Sequence, residues 1–201
     1  MLVETYENKK TNQVLEIHTD DDAESPRQWD NMGTMICSHK RHILGDDMVE
    51  SSEELNEILR EEKPVIHMPL YLYDHGGITM STGDYSDRWD SGCVGMIYTT
   101  REKILDCYTG WDGMKRLPMK KRLTKKMLEE ARESLIQEVK TYAKYLEGNV
   151  YGYILYNKSK CDHNEEHLEH EDSCFGFYID EQEDMLDVFI NNYGGNRKDW
   201  E

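Results

Sequence analysis

The stretch VIHMPLYLYDHGGITMST, from Val65 to Thr82, decides the fold. Here the hydrophobic pattern changes to the period of extended chain, and His75-Gly76-Gly77 interrupts it in the middle. Glycine supplies the positive φ that a tight reversal demands, so the stretch reads as two strands folded into a hairpin. Antiparallel pairing is therefore the organising geometry. VGMIYTT (residues 94–100) is a third strand, running into Thr99-Thr100-Arg101-Glu102, a capping box that opens a short helix through Ile104, Leu105 and Tyr108.

Upstream, Ser51-Ser52-Glu53-Glu54 is another capping box. It predicts a helix burying Leu55, Ile58 and Leu59 and stopped by Pro64. Ser25-Pro26 marks a turn, Trp29 an anchor, and Thr34 to Cys37 a short strand. Gln13 to His18 alternates as a strand, with Val14 opposite Leu15 and Ile17. The run Asp20-Asp21-Asp22-Ala23-Glu24 is a solvated loop.

Downstream, Leu128, Ala131, Leu135, Val139, Tyr142 and Leu146 recur at steps of three and four. They predict one face of a long helix from Thr124 to Gly148, where glycine ends it. NVYGYILYN and CFGFYI read as strands, and Asp184 to Asn191 as a final helix. No βαβ repeat is evident. The expectation is one α+β domain over residues 1–201, a mainly antiparallel sheet packed against one long and several short helices. Residues 1–25 form its polar N-terminal segment and 158–201 its acidic C-terminal region.

Charge is the strongest global signal. Forty-one acids against 24 basic residues give a net charge of −17, which argues against nucleic acid or an anionic membrane as direct partner. It favours attraction to basic protein surfaces. The charge is also uneven. Gly113 to Leu128 holds seven Lys or Arg and no acid, while Cys161 to Asp184 holds ten acids and no Lys or Arg. Five scattered cysteines, with no secretory leader and no apolar run near the ~18 residues of a membrane span, suggest reduced thiols in a cytoplasm.

Several constellations carry possible chemistry. His75-Gly76-Gly77 has the composition of an oxyanion-hole loop, but the Gly-x-Ser-x-Gly elbow and parallel sheet it serves are missing. Asp90-Ser91-Gly92 has the form of an aspartic-protease turn, but there is no second copy to share the proton. Glycines around both fragments read most simply as turn and packing positions. A hydrolase or nuclease gathering His75, Asp90, Ser91, Cys37 and His39 around the glycine-rich loops is the enzymatic alternative.

CDHNEEHLEHEDSC offers Cys161, His163, His167, His170 and Cys174. If its middle is helical, His163 and His167 share a face, as do His167 and His170, and the thiolates could complete a tetrahedral structural zinc. A solvated acidic helix is the plainer expectation for the same residues. No other cofactor is indicated.

PRQWDNMGTMICSHKRHILGD, PLYLYDHGGITMST, WDSGCVGMIYTT, YLEGNVYGYIL and DSCFGFY together resemble a family of small acidic proteins of bacteriophages and other mobile elements. The resemblance spans about Pro26 to Tyr178. It implies an accessory protein in a bacterial host's cytoplasm and, by analogy, one that disarms a host defence by occupying a nucleic-acid site. The expected partner is a basic host protein, a nuclease or effector complex such as a CRISPR effector or restriction enzyme. The acids expected to face it are Asp20, Asp21, Asp22, Glu24, Glu165, Glu166, Glu169, Glu171, Asp172, Asp180, Glu181, Glu183 and Asp184. Trp89, Trp111 or Trp200 would supply an apolar anchor.

Overall fold

The computed structural model describes every residue except 87–88, 109–110, 113–114, 117–121, 161–165 and 181, with backbone alone at 111–112, 115–116 and 160. In chain order the first elements are β1 (Leu2–Asn8), β2 (Gln13–Thr19), β3 (Thr34–Cys37), β4 (Asp47–Met48), α1 (Ser52–Glu62), β5 (Ile66–Asp74) and β6 (Ile78–Ser81). They are followed by β7 (Ser91–Thr99), α2 (Arg101–Cys107), β8 (Trp111–Asp112), β9 (Lys115–Arg116) and α3 (Lys125–Glu147). The chain closes with β10 (Val150–Lys160), β11 (Glu166–Tyr178) and α4 (Met185–Tyr193). The class is α+β, with antiparallel-dominated sheets, as the sequence pattern predicts. The backbone gathers into two compact units, residues 25–146 and residues 1–24 with 147–201.

In the larger unit the sheet order is β4-β3-β7-β5-β6. The β5–β6 hairpin forms as read, with Gly76 at φ +71° in its turn. Met35, Cys37, Leu70 and Ile97 on one face of this sheet pack with Ala131, Leu135 and Val139 of α3 and with Ile104 of α2, all essentially inaccessible. Ile36 and Tyr98 on the other face meet Leu55, Ile58 and Leu59 of α1. Those three are half-buried rather than buried, because α1 lies against a narrow apolar strip. Its N-cap is Ser51, the residue the expected box implies, and only the return bond from Glu54 shifts by one residue. Ser51 Oγ accepts from Glu54 N at 3.2 Å, but the Glu54 carboxylate accepts from Glu50 N at 2.9 Å. At α2 the capping residue is Thr100, one position beyond the Thr99 that the box implied.

Arg27 ties this unit together. Its side chain is 5% exposed and donates to both Asp46 oxygens at 2.9 and 2.6 Å, to Glu138 at 3.1 Å and to the Gly33 carbonyl at 2.8 Å. The acceptors are themselves engaged. Asp46 accepts from Met35 N, and Glu138 of α3 from Met32 N and Gly33 N. Loop, strand and helix are thus joined through one satisfied guanidinium. Trp29, expected as an anchor in this loop, is instead 45% exposed.

The smaller unit has the sheet order β1-β2-β10-β11, antiparallel throughout. One face carries Leu15, Ile17, Tyr153 and Leu155, covered by Leu186, Phe189 and Ile190 of α4 and by Trp200. The polar first residues contain a strand, β1, that the sequence pattern does not announce. The end of its outer edge pairs with residues 200–201. Glu7 and Glu201 exchange both backbone hydrogen bonds, at 3.0 and 3.1 Å, and Asn8 bridges Trp200.

Candidate functional site

The smaller unit holds 21 acidic and 6 basic residues, a net −15; the larger holds 20 and 18, a net −2. All the acids expected at a partner surface fall in the smaller unit. Register shows how they are grouped. Asp20 N donates to the Val150 carbonyl at 2.8 Å, Ile179 N to the Asn149 carbonyl at 3.2 Å, and the Tyr178 hydroxyl to the Glu24 carbonyl at 2.7 Å. The loops carrying Asp20, Asp21, Asp22 and Glu24 and carrying Asp180 and Glu183 therefore lie at the same end of the sheet. Glu165 and Glu181 lie outside the described residues.

Some of these charges are matched internally. Asp21 meets the N-terminal ammonium at 3.5 Å, and a hydrogen bond from Thr19 followed by that ammonium holds its carboxyl below the usual value. Asp184 caps α4 and, with Asp187, grips Arg197 at 2.7–2.8 Å. The hydrogen bond from that guanidinium holds the Asp184 carboxyl below its usual value. Glu166 shares Lys158 with Glu7.

Glu166, Glu169, Glu171 and Asp172 lie on β11, where the sequence suggested a helix. Pairing with β10, which carries three tyrosines and the aliphatic Val150, Ile154 and Leu155, overrides the weak strand propensity of EHLEHEDSC, a tertiary effect invisible in the local pattern. The correction removes the helical argument for zinc. His167 pairs opposite Ser159 and His170 opposite Tyr156, so three residues apart on a strand they point to opposite faces. Cys174 lies farther along, opposite Tyr153, while Cys161 and His163 are outside the described residues. Among the described residues no group of three or more His, Cys, Asp or Glu is placed to hold a metal ion.

The enzymatic constellation is only partly assembled. His75 Nδ1, in the β5–β6 turn, and Asp90 Oδ2, just before β7, meet at 2.9 Å, with the imidazole 70% exposed. Ser91 and Gly92, read as a turn, are the first residues of β7, opposite Tyr73 and Leu72. Cys37 is inaccessible in β3, and burial, reinforced by Asp46, pushes its thiol up to about 12. A thiol so placed supplies no thiolate near neutrality. The strand ends at Cys37, two residues before His39. His39 Nδ1 instead accepts from Arg41 N and His42 N, at 3.4 and 3.2 Å, and its ring stacks on His42 at 5.0 Å.

A surface hollow of about 630 Å³ is lined by His39, Lys40, Arg41, Glu50, Cys93 and Val94. Neither His75 nor Asp90 lines it. The four described cysteines are free thiols. Of the suggested anchors, Trp89 is 97% exposed, Trp200 is buried in the smaller unit's core, and the side chain of Trp111 lies outside the described residues. Trp200 is thereby corrected from surface anchor to core residue. Arg27 carried no local signal in the sequence, because its partners Asp46 and Glu138 lie 19 and 111 residues further on. Among the described residues no helix is long and apolar enough to cross a membrane. No protein-family model, curated protein or solved structure matches this chain.

Proposed function

We propose that this chain acts by binding, as an acidic protein of a bacteriophage or mobile element that occupies the basic nucleic-acid groove of a host nuclease or effector complex. The observation that carries the reading is the segregation of charge: a net −15 resides in a unit of two loops, one sheet and one short helix, while the rest of the chain is close to neutral. A uniformly acidic surface gives solubility; a field concentrated on one unit steers that unit to cationic surfaces. The host cytoplasm is where such a partner is met.

The test is inhibition of a basic host nuclease by the purified chain. The expected result is inhibition that weakens steeply with added salt and is relieved when Asp20, Asp21, Asp22, Asp180 and Glu183 are together replaced by Asn or Gln. Inhibition untouched by both changes would refute the reading. The His75–Asp90 pair supports a second reading, a hydrolase or nuclease. His75→Ala or Asp90→Asn abolishes the activity of such an enzyme, whereas an electrostatic binder keeps its inhibition.

A further inference from the structure

The two edges of the smaller unit's sheet are treated differently. The outer edge of β1 is paired at its end, where Trp200 and Glu201 add alongside Asn8 and Glu7, while Leu2 to Thr5 stay exposed. Charge accompanies that pairing: Lys9 meets the Glu201 side chain and Lys10 meets Asp199. At the opposite edge lies β11, thirteen residues long and exposed from Glu166 to Gly176. An edge of that length presents a row of backbone donors and acceptors that an extended chain can join.

The side chains of β11 are sorted by face. Glu169 and Asp172 lie on the face that α4 covers further in, and a register irregularity at Glu171 turns that side chain to the same face. Glu171 accepts from Gln13 at 2.6 Å and Asp172 from the Tyr153 hydroxyl at 2.9 Å. Those donors are uncharged, so the hydrogen bonds orient the two carboxylates without cancelling their charge. Leu168, His170 and Phe175 lie on the opposite face, with Leu168 and Phe175 both more than 40% exposed and the Phe175 ring lying over Gly152.

We propose that β11 is a docking edge that takes up an extended segment of a basic partner protein as a fifth strand. The added segment alternates Lys or Arg, facing Glu169, Glu171 and Asp172, with apolar residues, facing Leu168, His170 and Phe175. Main-chain hydrogen bonds supply affinity and the alternation supplies register. The sign of the partner's charge rests on the acidic-binder reading above; the strand geometry does not.

The experiment titrates the full chain with a short synthetic peptide alternating lysine and valine, following backbone amides by NMR. A second peptide has the same sequence with every other amide N-methylated, which keeps charge and shape but removes the donors along one edge. The expected result is binding of the first peptide with slowed hydrogen exchange along β11, and an affinity about tenfold or more weaker for the methylated peptide. Equal affinity for the two peptides, protection confined to the loops at Asp20–Glu24, or no binding of either would overturn the docking edge. Each of those results leaves the salt and charge-removal test of the loop acids standing, so the two ideas fail separately.

Discussion

The two units of this chain solve the problem of an acidic sequence in opposite ways. In the larger, carboxylates are turned inward and used: Asp46 and Glu138 clamp Arg27 and accept backbone N–H groups that would otherwise lack partners. In the smaller, with 21 acids to 6 bases, most described carboxylates remain at loops and at a sheet edge. Charge that is paired and hydrogen-bonded holds a fold, whereas charge left facing water repels itself and becomes available to a partner. The difference lies in cation supply, because the smaller unit has too few Lys and Arg to neutralise its acids.

The comparison breaks most visibly at Arg27. Replacing it with Met strands two carboxylates in a half-buried site, and the expected cost is about 3–5 kcal/mol, read from urea denaturation of the larger unit's signals. A loss below about 1 kcal/mol would mean that the clamp is no stronger than a surface ion pair. Next in size come two glycines. A Cβ at Gly95 would lie 2.0 Å from the Ile36 carbonyl oxygen, a backbone atom that cannot withdraw. One at Gly152 would lie 2.2 Å from the Phe175 ring, which stands at an exposed edge and can swing away. Gly95→Ala is expected to cost about 3 kcal/mol or more and Gly152→Ala about 1 kcal/mol, measured as thermal or urea stability.

Salt sharpens the comparison further. Screening relieves self-repulsion in the smaller unit and does little to a nearly neutral one. Raising ionic strength from about 0.01 to 0.15 M should slow hydrogen exchange in β2 and β10 by up to roughly 1 kcal/mol while leaving β3 and β7 little changed. Equal responses in both sheets would show that the charge is not segregated in effect.

The smallest effect is a pH dependence confined to the larger unit. Burial, followed by the neighbouring positive charges of His42 and Arg41, holds the His39 imidazole below its ordinary 6.5. The folded state thus disfavours the protonated ring. Stability contributed by neutral His39 is complete above about pH 6.5 and is lost as pH falls through the lower folded value. Comparing thermal stability at pH 7 and pH 5 for the chain and its His39→Gln variant should show a smaller drop in the variant. An identical drop would assign the pH response elsewhere.

Much of this fold is legible in the letters. The Val65–Thr82 hairpin, the Thr34–Cys37 strand and the long helix follow from local periodicity and from glycine's tolerance of positive φ. These elements carry their own signal because their apolar faces repeat at a fixed step. The candidate site is less legible. The first part of β11 is hidden because its acids and histidines have little strand preference of their own; pairing with β10 extends the strand read at CFGFYI back to Glu166. β1 reads only as part of a polar segment, although LVETYEN holds strand-favouring Val, Thr and Tyr; pairing with β2 fixes it.

By itself, then, the sequence determined the α+β class, the hairpin, the helix register and the surplus of negative charge, because each depends on residues near one another or on a sum over the chain. Tertiary structure alone decided that the surplus gathers in one unit, that Arg27 consumes Asp46 and Glu138, that Cys37 is too buried to react, and that β11 is an edge. These depend on which distant segments become neighbours, and no short-range pattern encodes that.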